Sequence, residues 1–293
     1  MKILIIGGTG NISTAITRFL LARGEEVVHF NNDERTPEEF RGKVRTIHGD
    51  RTEHTTFETA MAAEGCFDCV IDMIGYEPED ARSDVRAFAG RTRQFIFCST
   101  VDVYTKPAKR LPIREDEERR PSPTFAYAYK KALCEEILWE AHARGDFSLT
   151  VIRPAATYND SSHPISLIGP GEAFLRRVRL GQPLIVLGDG QSIWVSTHRD
   201  DVGRAIANAV GNPKAYGRAY NVMGELLEAA LAALPFDGVG GALWSRGCLS
   251  AHRSRMDGKV AGVSPGYFGC LPEGWIESIM IRLPRGEILV FIS

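Results

Sequence analysis

The sequence predicts an α/β fold in which helices cover both faces of a doubly wound parallel sheet. Short, continuously apolar runs recur along the first half of the chain, as is typical of parallel strands buried on both faces. Segments whose apolar residues have helical spacing separate these runs. Because repeated strand and helix units form parallel sheets through right-handed crossovers, the alternation itself indicates this architecture.

The first of these units begins at residue 3. Residues 3–6 form an apolar run that ends at a cluster of glycines, and apolar residues then recur with helical spacing from Ile12 to Leu20. Gly24 follows at the place where a helix is expected to stop. The same pattern predicts further strands at 27–30, 44–47, 70–74, 95–98 and 149–152, and helices near 53–64, 79–90 and 125–143.

The regular alternation ends after Pro154. Shorter elements are predicted beyond it, namely a helix near 171–181, a strand at 184–187, a helix near 200–211 and a strand at 220–222. We therefore expect a nucleotide-binding domain over residues 1–154 and a smaller C-terminal substrate lobe over 155–234, interleaved with the sheet edge. Residues 235–293 are expected to form an irregular tail.

Two interpretations of this tail stay open. Between residues 235 and 274 glycines and serines are frequent, and no apolar periodicity lasts for a full helix. Two short apolar runs, at 276–281 and 288–292, indicate either a hairpin or aggregation-prone strands. These features fit two alternatives equally. One is a divergent, poorly ordered ending, and the other is an irregular cap over a substrate pocket.

The composition excludes several classes of protein. Hydrophobic residues make up 44% of the chain and charged residues 25%, which excludes collagen-like, mucin-like and wholly disordered proteins. A net charge of -2 creates no field that would concentrate nucleic acid or anionic lipid. No apolar stretch reaches the length of a membrane span. We therefore expect a cytoplasmic protein with a small-molecule substrate and with neither a nucleic acid nor a membrane partner.

The cysteines predict no metal or disulfide framework. The chain contains 6 cysteines, too few for a disulfide scaffold of this length, so reduced thiols are expected. Cys66 and Cys69 have the spacing of a metal or redox pair, but no second pair follows that would complete four zinc ligands.

The turn after the first strand has the shape of a dinucleotide-binding site of the Rossmann type. Gly7 permits a tight turn, Gly10 lets a pyrophosphate approach the backbone, and the following helix presents free N–H groups. Ser13 stands where a third glycine usually allows close helix packing. Either the helix sits further out, or the hydroxymethyl group tucks into its own turn. The residues expected to contact the cofactor here are Gly7, Thr9, Gly10, Asn11 and Ile12.

The residues after the second and third strands leave the choice of cofactor open. Asn31 ends the second predicted strand, where NAD enzymes carry an acidic residue and NADP enzymes a basic group. Residues 32–35 offer both signs of charge, so the cofactor is expected to be NAD or NADP. Asp50, after the third strand, is a candidate contact for the adenine amine, although Gly-Asp is also an ordinary turn pair.

A tyrosine and a lysine form the candidate catalytic pair. Tyr127 and Lys131 stand four residues apart and therefore share one face of the predicted helix. A phenol titrates near pH 10, and a neighbouring ammonium eases proton transfer at neutral pH. Alone, such a pair is more often a surface feature. However, Ser99 and Thr100 end a strand at the sheet edge where parallel sheets bind ligands, so hydroxyl, phenol, ammonium and nucleotide are expected to converge.

At this point the chain resembles the extended short-chain dehydrogenase/reductase family, in its NAD-dependent epimerase/dehydratase group. The resemblance spans residues 1 to about 224. It rests on the glycine turn, residues 98–104, Tyr127 with Lys131 and Glu135, Arg153-Pro154, residues 188–190, 198–201 and 220–222. Residues 7–13 together with 49–51 are most similar to the subgroup of chloroplast stem-loop-binding-like proteins.

The resemblance implies a role for each matching residue. Tyr127 would be the acid/base on the substrate hydroxyl, and Thr100 would hydrogen-bond the reacting oxygen. Lys131 would hold the nicotinamide ribose and lower the pKa of the tyrosine. Further cofactor contacts that the resemblance implies are Asp50, Arg51, Ile74, Gly75 and Pro154.

Departures from the family pattern narrow the range of candidate substrates. Sugar-nucleotide dehydratases of the family carry Asp-Glu after the catalytic threonine, whereas this chain has Val101-Asp102, which disfavours a dehydratase. Ala156 and Trp194 stand where sugar epimerases usually carry an asparagine and an arginine that grasp a diphosphate.

We therefore expect an NAD(P)-dependent epimerase or oxidoreductase that transfers hydride at a hydroxyl or carbonyl carbon. A nucleotide sugar is a candidate substrate. The alternative is an RNA-binding or nucleotide-sensing protein on the same fold, although intact Thr100, Tyr127 and Lys131 favour chemistry. No residue pattern sets the oligomeric state, for which a homodimer is the working expectation.

Overall fold

The computed structural model describes residues 1–32, 36–160, 195–223, 279–282 and 288–291, together with the strand 185–187 and the single positions 176 and 180. The α-helices are α1 (Asn11–Ala22), α2 (His54–Ala63), α3 (Pro78–Phe88), α4 (Ala126–Arg144) and α5 (Arg199–Ala209). The strands are β1 (Lys2–Ile6), β2 (Glu26–Asn31), β3 (Arg45–His48), β4 (Phe67–Asp72), β5 (Thr92–Cys98), β6 (Ser148–Pro154), β7 (Ala156–Tyr158), β8 (Ile185–Leu187), β9 (Ser196–His198), β10 (Arg218–Val222), β11 (Ile279–Arg282) and β12 (Ile288–Phe291).

Seven of these strands form one parallel sheet in the order β10-β6-β5-β4-β1-β2-β3. The sequence prediction of a doubly wound parallel sheet is confirmed. The chain builds outward in one direction from β1 to β3 and in the other from β4 onward, so the strand order reverses between β1 and β4. In open parallel sheets, ligands bind beyond the carboxyl ends of the strands at this switch point.

Helices bury both faces of the sheet, which explains the unbroken apolar runs. Successive side chains of a strand point to opposite faces. In β1, Leu4 and Ile6 belong to a core cluster that also holds residues of α2, α3 and α4. Ile3 and Ile5 belong to a second cluster with residues of α1 and α5. All four side chains are fully buried.

Helices α1 and α5 approach closely because a glycine lies between them. A Cβ at Gly203 would lie 2.6 Å from the Cβ of Ala15 and 3.0 Å from the backbone nitrogen of Ile16. Any side chain at position 203 would therefore push the two helices apart. This contact fixes α5 against the helix that follows the glycine turn.

The end of β4 differs from the prediction. The apolar pattern predicts a strand over 70–74, but β4 ends at Asp72. The Asp72 carboxylate accepts hydrogen bonds from the backbone N–H groups of Ile74 and Gly75, each at 2.9 Å, which turns the chain away from the sheet. A side chain thus ends a strand that hydrophobicity alone would extend.

The chain divides into two compact units. One comprises residues 1–159 with 197–224, and the other comprises 160–196 with 225–293. In the second unit, β8, β11 and β12 form an antiparallel sheet in the order β12-β11-β8, and β11 and β12 pair with each other as a predicted hairpin would. The predicted helix near 171–181, the motif at 188–190, Trp194 and the segment 235–274 lie outside the described residues, apart from positions 176 and 180. Among the residues that are described, no helix is long and apolar enough to cross a bilayer.

Candidate active site

The glycine turn between β1 and α1 leaves the first amides of the helix without a side-chain cap. Gly7 adopts a φ of 81°, a left-handed conformation that favours glycine. Gly10 is the N-cap residue of α1 with an ordinary φ of -72°, and no acidic residue lies in the first turn. Ser13 Oγ donates a hydrogen bond of 2.6 Å to the carbonyl oxygen of Gly7. Of the two alternatives for Ser13, the structure therefore shows the hydroxyl tucked into its own turn.

Two side chains support this turn from within the protein. A Cβ at Gly7 would lie 2.6 Å from Cγ2 of Ile74, and a Cβ at Gly8 would lie 2.3 Å from Cγ of His29. His29 is fully buried, and its Nε2 lies 2.9 Å from the hydroxyl of Thr17. Burial lowers the pKa of His29 to about 4, so the imidazole behind the turn is neutral at physiological pH.

The turn fits the diphosphate of a dinucleotide. Uncapped amides at a helix N-terminus bind anions, since the N–H groups and the helix dipole both favour negative charge. Among the described residues, a Cβ at Gly10 would contact Ser13 Oγ at 3.3 Å and the Gly7 carbonyl oxygen at 3.8 Å and nothing else within 4 Å. Because the backbone of Gly10 suits any residue, what glycine provides at this position is space. A side chain there would fill the space that a phosphate needs.

Asn31 adds a second feature that fits a nucleotide. It ends β2 at the carboxyl edge of the sheet, and it is 4% exposed. Its Nδ2 has no hydrogen-bond partner among the described residues. Buried amide donors are nearly always paired in folded proteins, so this atom is suited to an acceptor on a bound ligand.

The two predicted adenine-side residues have different environments. Asp50 is exposed, and its Oδ1 accepts hydrogen bonds from the Thr52 backbone N–H and hydroxyl at 2.8 Å and 2.7 Å. These bonds lower the pKa of the Asp50 carboxyl. Arg51 is instead buried, with Nη2 2.8 Å from Asp84 Oδ1 and with its guanidinium over the ring of Phe57. The structure thus commits the Arg51 side chain to the protein interior.

Thr100 and Tyr127 meet through their hydroxyl groups. Thr100 follows β5 and accepts a hydrogen bond of 3.2 Å from the backbone of Asp102, which fixes its hydroxyl. Tyr127 lies in the first turn of α4 and is 42% exposed. Burial of the phenol raises the pKa of Tyr127 above its ordinary value, whereas the hydrogen bond with Thr100 lowers it. The Thr100 hydroxyl, which also donates a hydrogen bond of 3.4 Å to Asp102 Oδ2, therefore acts on this phenol at the surface of the site.

Lys131 lies one turn further along α4, deep in the protein. It is 1% exposed, and its Nζ donates a hydrogen bond of 2.7 Å to the carbonyl oxygen of Cys98. The ammonium also lies over the rings of Tyr76 and Phe97, at 4.8 Å and 4.5 Å from their centroids. A lysine ammonium has three donors, so the bond to Cys98 leaves two for other partners.

Tyr76 is a site residue that sequence reasoning missed. Its ring lies 6.4 Å from that of Tyr127 and beneath the Lys131 ammonium, and it is 49% exposed. Its position directly after Ile74 and Gly75, at the carboxyl end of β4, is the signal that could have identified it. Ile74 and Gly75 themselves are brought to the glycine turn, through the contact between Ile74 and Gly7.

Several residues of the motifs that carry the family resemblance form a buried hydrogen-bond network and do not belong to the candidate catalytic group. Arg153 is fully buried and donates to both carboxylate oxygens of Glu135, at 2.9 Å and 2.7 Å. It also donates to the Tyr104 hydroxyl at 2.7 Å, which in turn donates to Asn221 at 2.6 Å. This network joins α4, β6 and β10 to the segment after β5. Pro154, the next residue of β6, is buried beside it.

A comparison with models of protein families shows which family the chain belongs to. The model of the NAD dependent epimerase/dehydratase family matches residues 3–89 and 84–222. The chain therefore belongs to this family, as the motifs predicted.

One relative of the chain is named as a stem-loop binding protein and another as a reductase. The chain is 30% identical over 236 residues to the chloroplast stem-loop binding protein of 41 kDa b of Arabidopsis thaliana, covering 76% of this chain and 59% of the relative. It is 28% identical over 217 residues to the 2'-dehydrokanamycin reductase of Streptomyces kanamyceticus, covering 74% and 60%. The chain thus spans about three-fifths of the length of both relatives.

A solved structure shows the same fold. The UDP-glucuronic acid 4-epimerase of Bacillus cereus, in complex with UDP-glucuronic acid and NAD, superposes with a TM-score of 0.60. It is 20% identical and covers 77% of this chain and 78% of that chain. At this identity the likeness confirms the doubly wound sheet.

Proposed function

We propose that this protein is an NAD(P)-dependent oxidoreductase or epimerase that transfers hydride at a hydroxyl or carbonyl carbon of a small molecule. The observation that carries the proposal is the grouping of Tyr127, a Thr100 hydroxyl that lowers the pKa of its phenol, and the buried Lys131 ammonium one helical turn further along α4. A sensor or a purely binding protein has no need for a phenol, a fixed hydroxyl and a buried ammonium at one sheet edge. Membership of the family supports the same activity.

The cofactor has a consistent place along the carboxyl edge of the sheet. The diphosphate would bind at the uncapped amides of α1, where Gly7, Thr9, Gly10, Asn11 and Ile12 would contact it. The Asn31 amide takes the adenosine ribose, and Asp50 lies toward the adenine. Ile74 and Gly75 line the middle of the cofactor, and Pro154 the nicotinamide. The Arg51 guanidinium is bound to Asp84, so we assign it to the support of this edge instead of to the cofactor.

The chain's own residues move and hold the proton. The nicotinamide ring, when bound, supplies the carbon that accepts or returns a hydride. Tyr127 takes the proton of the substrate hydroxyl in the oxidative direction and returns it in the reductive direction. Thr100 holds the substrate oxygen beside the phenol. Burial raises the pKa of Tyr127, so its phenolate needs a nearby positive charge to form at neutral pH. We assign this role to the Lys131 ammonium, the cation one helical turn along α4.

The substrate is a compound with a ring hydroxyl or ketone, for which two classes compete. Nucleotide sugars are supported by the fold neighbour that binds UDP-glucuronic acid. Ketone-bearing sugars are supported by the relative named as a dehydrokanamycin reductase and by Ala156, which offers no amide to a diphosphate. Isomerisation follows if the hydride returns to the opposite face of the same carbon. Net oxidoreduction follows if the ketone and the reduced cofactor leave separately, or, in the reverse direction, if the reduced cofactor is supplied with a ketone.

RNA binding is a second candidate, favoured by the relative that is named a stem-loop binding protein. The net charge of -2 provides no general attraction for RNA. Fluorescence anisotropy with a labelled RNA hairpin at two salt concentrations separates the candidates. Submicromolar binding together with no turnover of any sugar would favour RNA.

A cofactor assay tests the main proposal directly. Purified protein is denatured and any released nucleotide identified by mass spectrometry, and NAD⁺ and NADP⁺ are titrated by calorimetry. A Gly10→Val variant is expected to lose binding because its side chain fills the phosphate space without straining the backbone, and Gly10→Ala is expected to lose less. Full affinity in a folded Gly10→Val protein would contradict the proposed cofactor site.

A cytoplasmic location and a homodimer also belong to the proposal. Cys69, Cys98 and Cys134 are buried free thiols, which supports a reducing compartment. Light scattering coupled to size-exclusion chromatography tests the dimer, since a mass near 32.3 kDa would mean a monomer.

A further inference from the structure

Two aspartates hold four consecutive backbone amides of the segment between β4 and α3. Asp72 Oδ1 accepts the N–H groups of Ile74 and Gly75, each at 2.9 Å. Asp80 Oδ2 accepts those of Tyr76 and Glu77, at 3.0 Å and 2.9 Å. None of these four N–H groups is therefore free for a ligand anion.

The first half of this segment contacts the glycine turn. The Ile74 side chain lies against Gly7, where an added Cβ would come within 2.6 Å of it. Gly75 lies even closer to Asp72, since a Cβ there would be 2.1 Å from Oδ2. Asp72 thus fixes the backbone at residues 74 and 75. The Ile74 side chain, which extends from this fixed backbone, packs against Gly7 and so supports the glycine turn.

The burial of Asp72 is costly, because a fully buried carboxyl group loses its hydration. Asp72 and Asp84 are both fully buried, and the nearby guanidinium of Arg51 forms an ion pair with Asp84. Burial raises the pKa of the Asp84 carboxyl, Arg51 lowers it, and the proximity of Asp72 raises it again. Replacing such buried charges by apolar residues is often neutral or stabilising, so stability alone gives no reason for this cluster.

We propose that Asp72 is a positioning residue for cofactor binding, which acts through Ile74 on the Gly7 turn. The inference rests on the proposed function, because it concerns the dinucleotide placed at that turn. Asp80 holds the other half of the segment, which leads into α3 and does not contact Gly7 in the same way. Each aspartate thus accepts two backbone N–H groups on one oxygen, and Asp80 Oδ1 also lies 2.9 Å from His54 Nε2. Their expected effects on the cofactor differ.

The test measures NAD⁺ and NADP⁺ affinity by calorimetry, with circular dichroism and thermal unfolding on each variant. In Asp72→Asn the weakened hold on Ile74 is expected to raise the Kd of the dinucleotide that the wild type binds by about tenfold, equivalent to about 1.4 kcal/mol. Ile74→Ala, which removes the half-buried contact with Gly7, is expected to raise it by a similar factor. The double variant should bind no worse than the weaker single variant, within about twofold, because both changes break the same connection. Asp80→Asn, the matched control, is expected to lower Tm and to change Kd by less than about twofold.

Several results would overturn the proposal. Wild-type Kd in a folded Asp72→Asn or Ile74→Ala protein would do so, as would effects that multiply in the double variant. An equal loss of affinity in Asp80→Asn would show general loosening instead of positioning by Asp72. If Asp72→Asn does not fold, Asp72→Ser, whose shorter side chain cannot hold the same two N–H groups, carries the test. If the wild-type protein binds neither dinucleotide, the proposed function fails together with this inference, whereas a failure confined to these variants leaves the cofactor site intact.

Discussion

The neutral imidazole behind the glycine turn makes folding stability depend on pH. The pKa of His29 is about 4 in the folded protein, against an ordinary value of 6.5. Between these values the unfolded chain binds a proton that the folded protein does not, so the free energy of unfolding falls as the pH is lowered. Well above pH 6.5 the histidine is neutral in both states and contributes no pH dependence.

The size of the effect follows from the shift. Each pKa unit corresponds to about 1.4 kcal/mol, so the full difference is about 3.4 kcal/mol. At pH 4.5 the linkage relation gives a loss of about 2.5 kcal/mol relative to pH 7.5. The raised pKa of Asp84 acts in the opposite direction, because the folded protein binds that proton more readily than the unfolded chain does. The contribution of His29 must therefore be measured as a difference between proteins.

The assay compares urea unfolding of wild type and His29→Gln at pH 4.5 and pH 7.5. Glutamine can keep a hydrogen bond to Thr17 without titrating, so the variant should lose about 2.5 kcal/mol less than wild type between the two pH values. His48→Gln, at an exposed position of β3, is the matched control and should follow the wild-type profile. Parallel pH profiles for wild type and His29→Gln would refute the reasoning.

Three further predictions concern the reaction and the core. Tyr127→Phe should lower kcat by about 10²- to 10⁴-fold in a nicotinamide absorbance assay because the acid/base is removed, while the Kd of the cofactor changes little. If Tyr127→Phe were active and Tyr129→Phe inactive, the acid/base would be Tyr129 and the assignment to Tyr127 would be wrong. Gly203→Ala should cost about 1–3 kcal/mol in urea unfolding, because its Cβ meets Ala15; stability equal to that of the exposed control Asn208→Ala would contradict the close packing of α1 and α5. Glu135→Gln should cost about 3–5 kcal/mol because it leaves the Arg153 charge buried without its counter-ion, and a loss below about 1 kcal/mol in the same assay would count against that ion pair.

Local patterns in the sequence predicted the sheet and the catalytic group. The strands buried on both faces are apolar throughout, and the four-residue spacing of Tyr127 and Lys131 is a helical signal that needs no tertiary information. Thr100 could be placed because it directly follows a predicted strand. These features depend on residues that are close in the chain.

The supporting contacts could not be predicted, because they join residues that are distant in the chain. The resemblance implies Arg51 as a cofactor contact, yet its partner is Asp84 on α3, with α2 and β4 between the two residues in the sequence. His29 reads as an ordinary strand residue, and only the packing of β2 against the turn places its ring behind Gly8. Hydrophobic pattern also gave no sign that Asp72 would stop β4, since the apolar run continues past it.

The return of the chain to the main sheet has a consequence for dissection of this protein. Strand β10 pairs with β6 along its whole length, and α5 covers α1, although both elements lie more than forty residues beyond Pro154 in the sequence. A fragment cut after Pro154 would leave β6 as an unpaired edge and the apolar face of α1 in water, and both defects promote aggregation. A minimal cofactor-binding fragment must therefore keep residues 197–224, for example by joining them to residue 159 through a flexible linker.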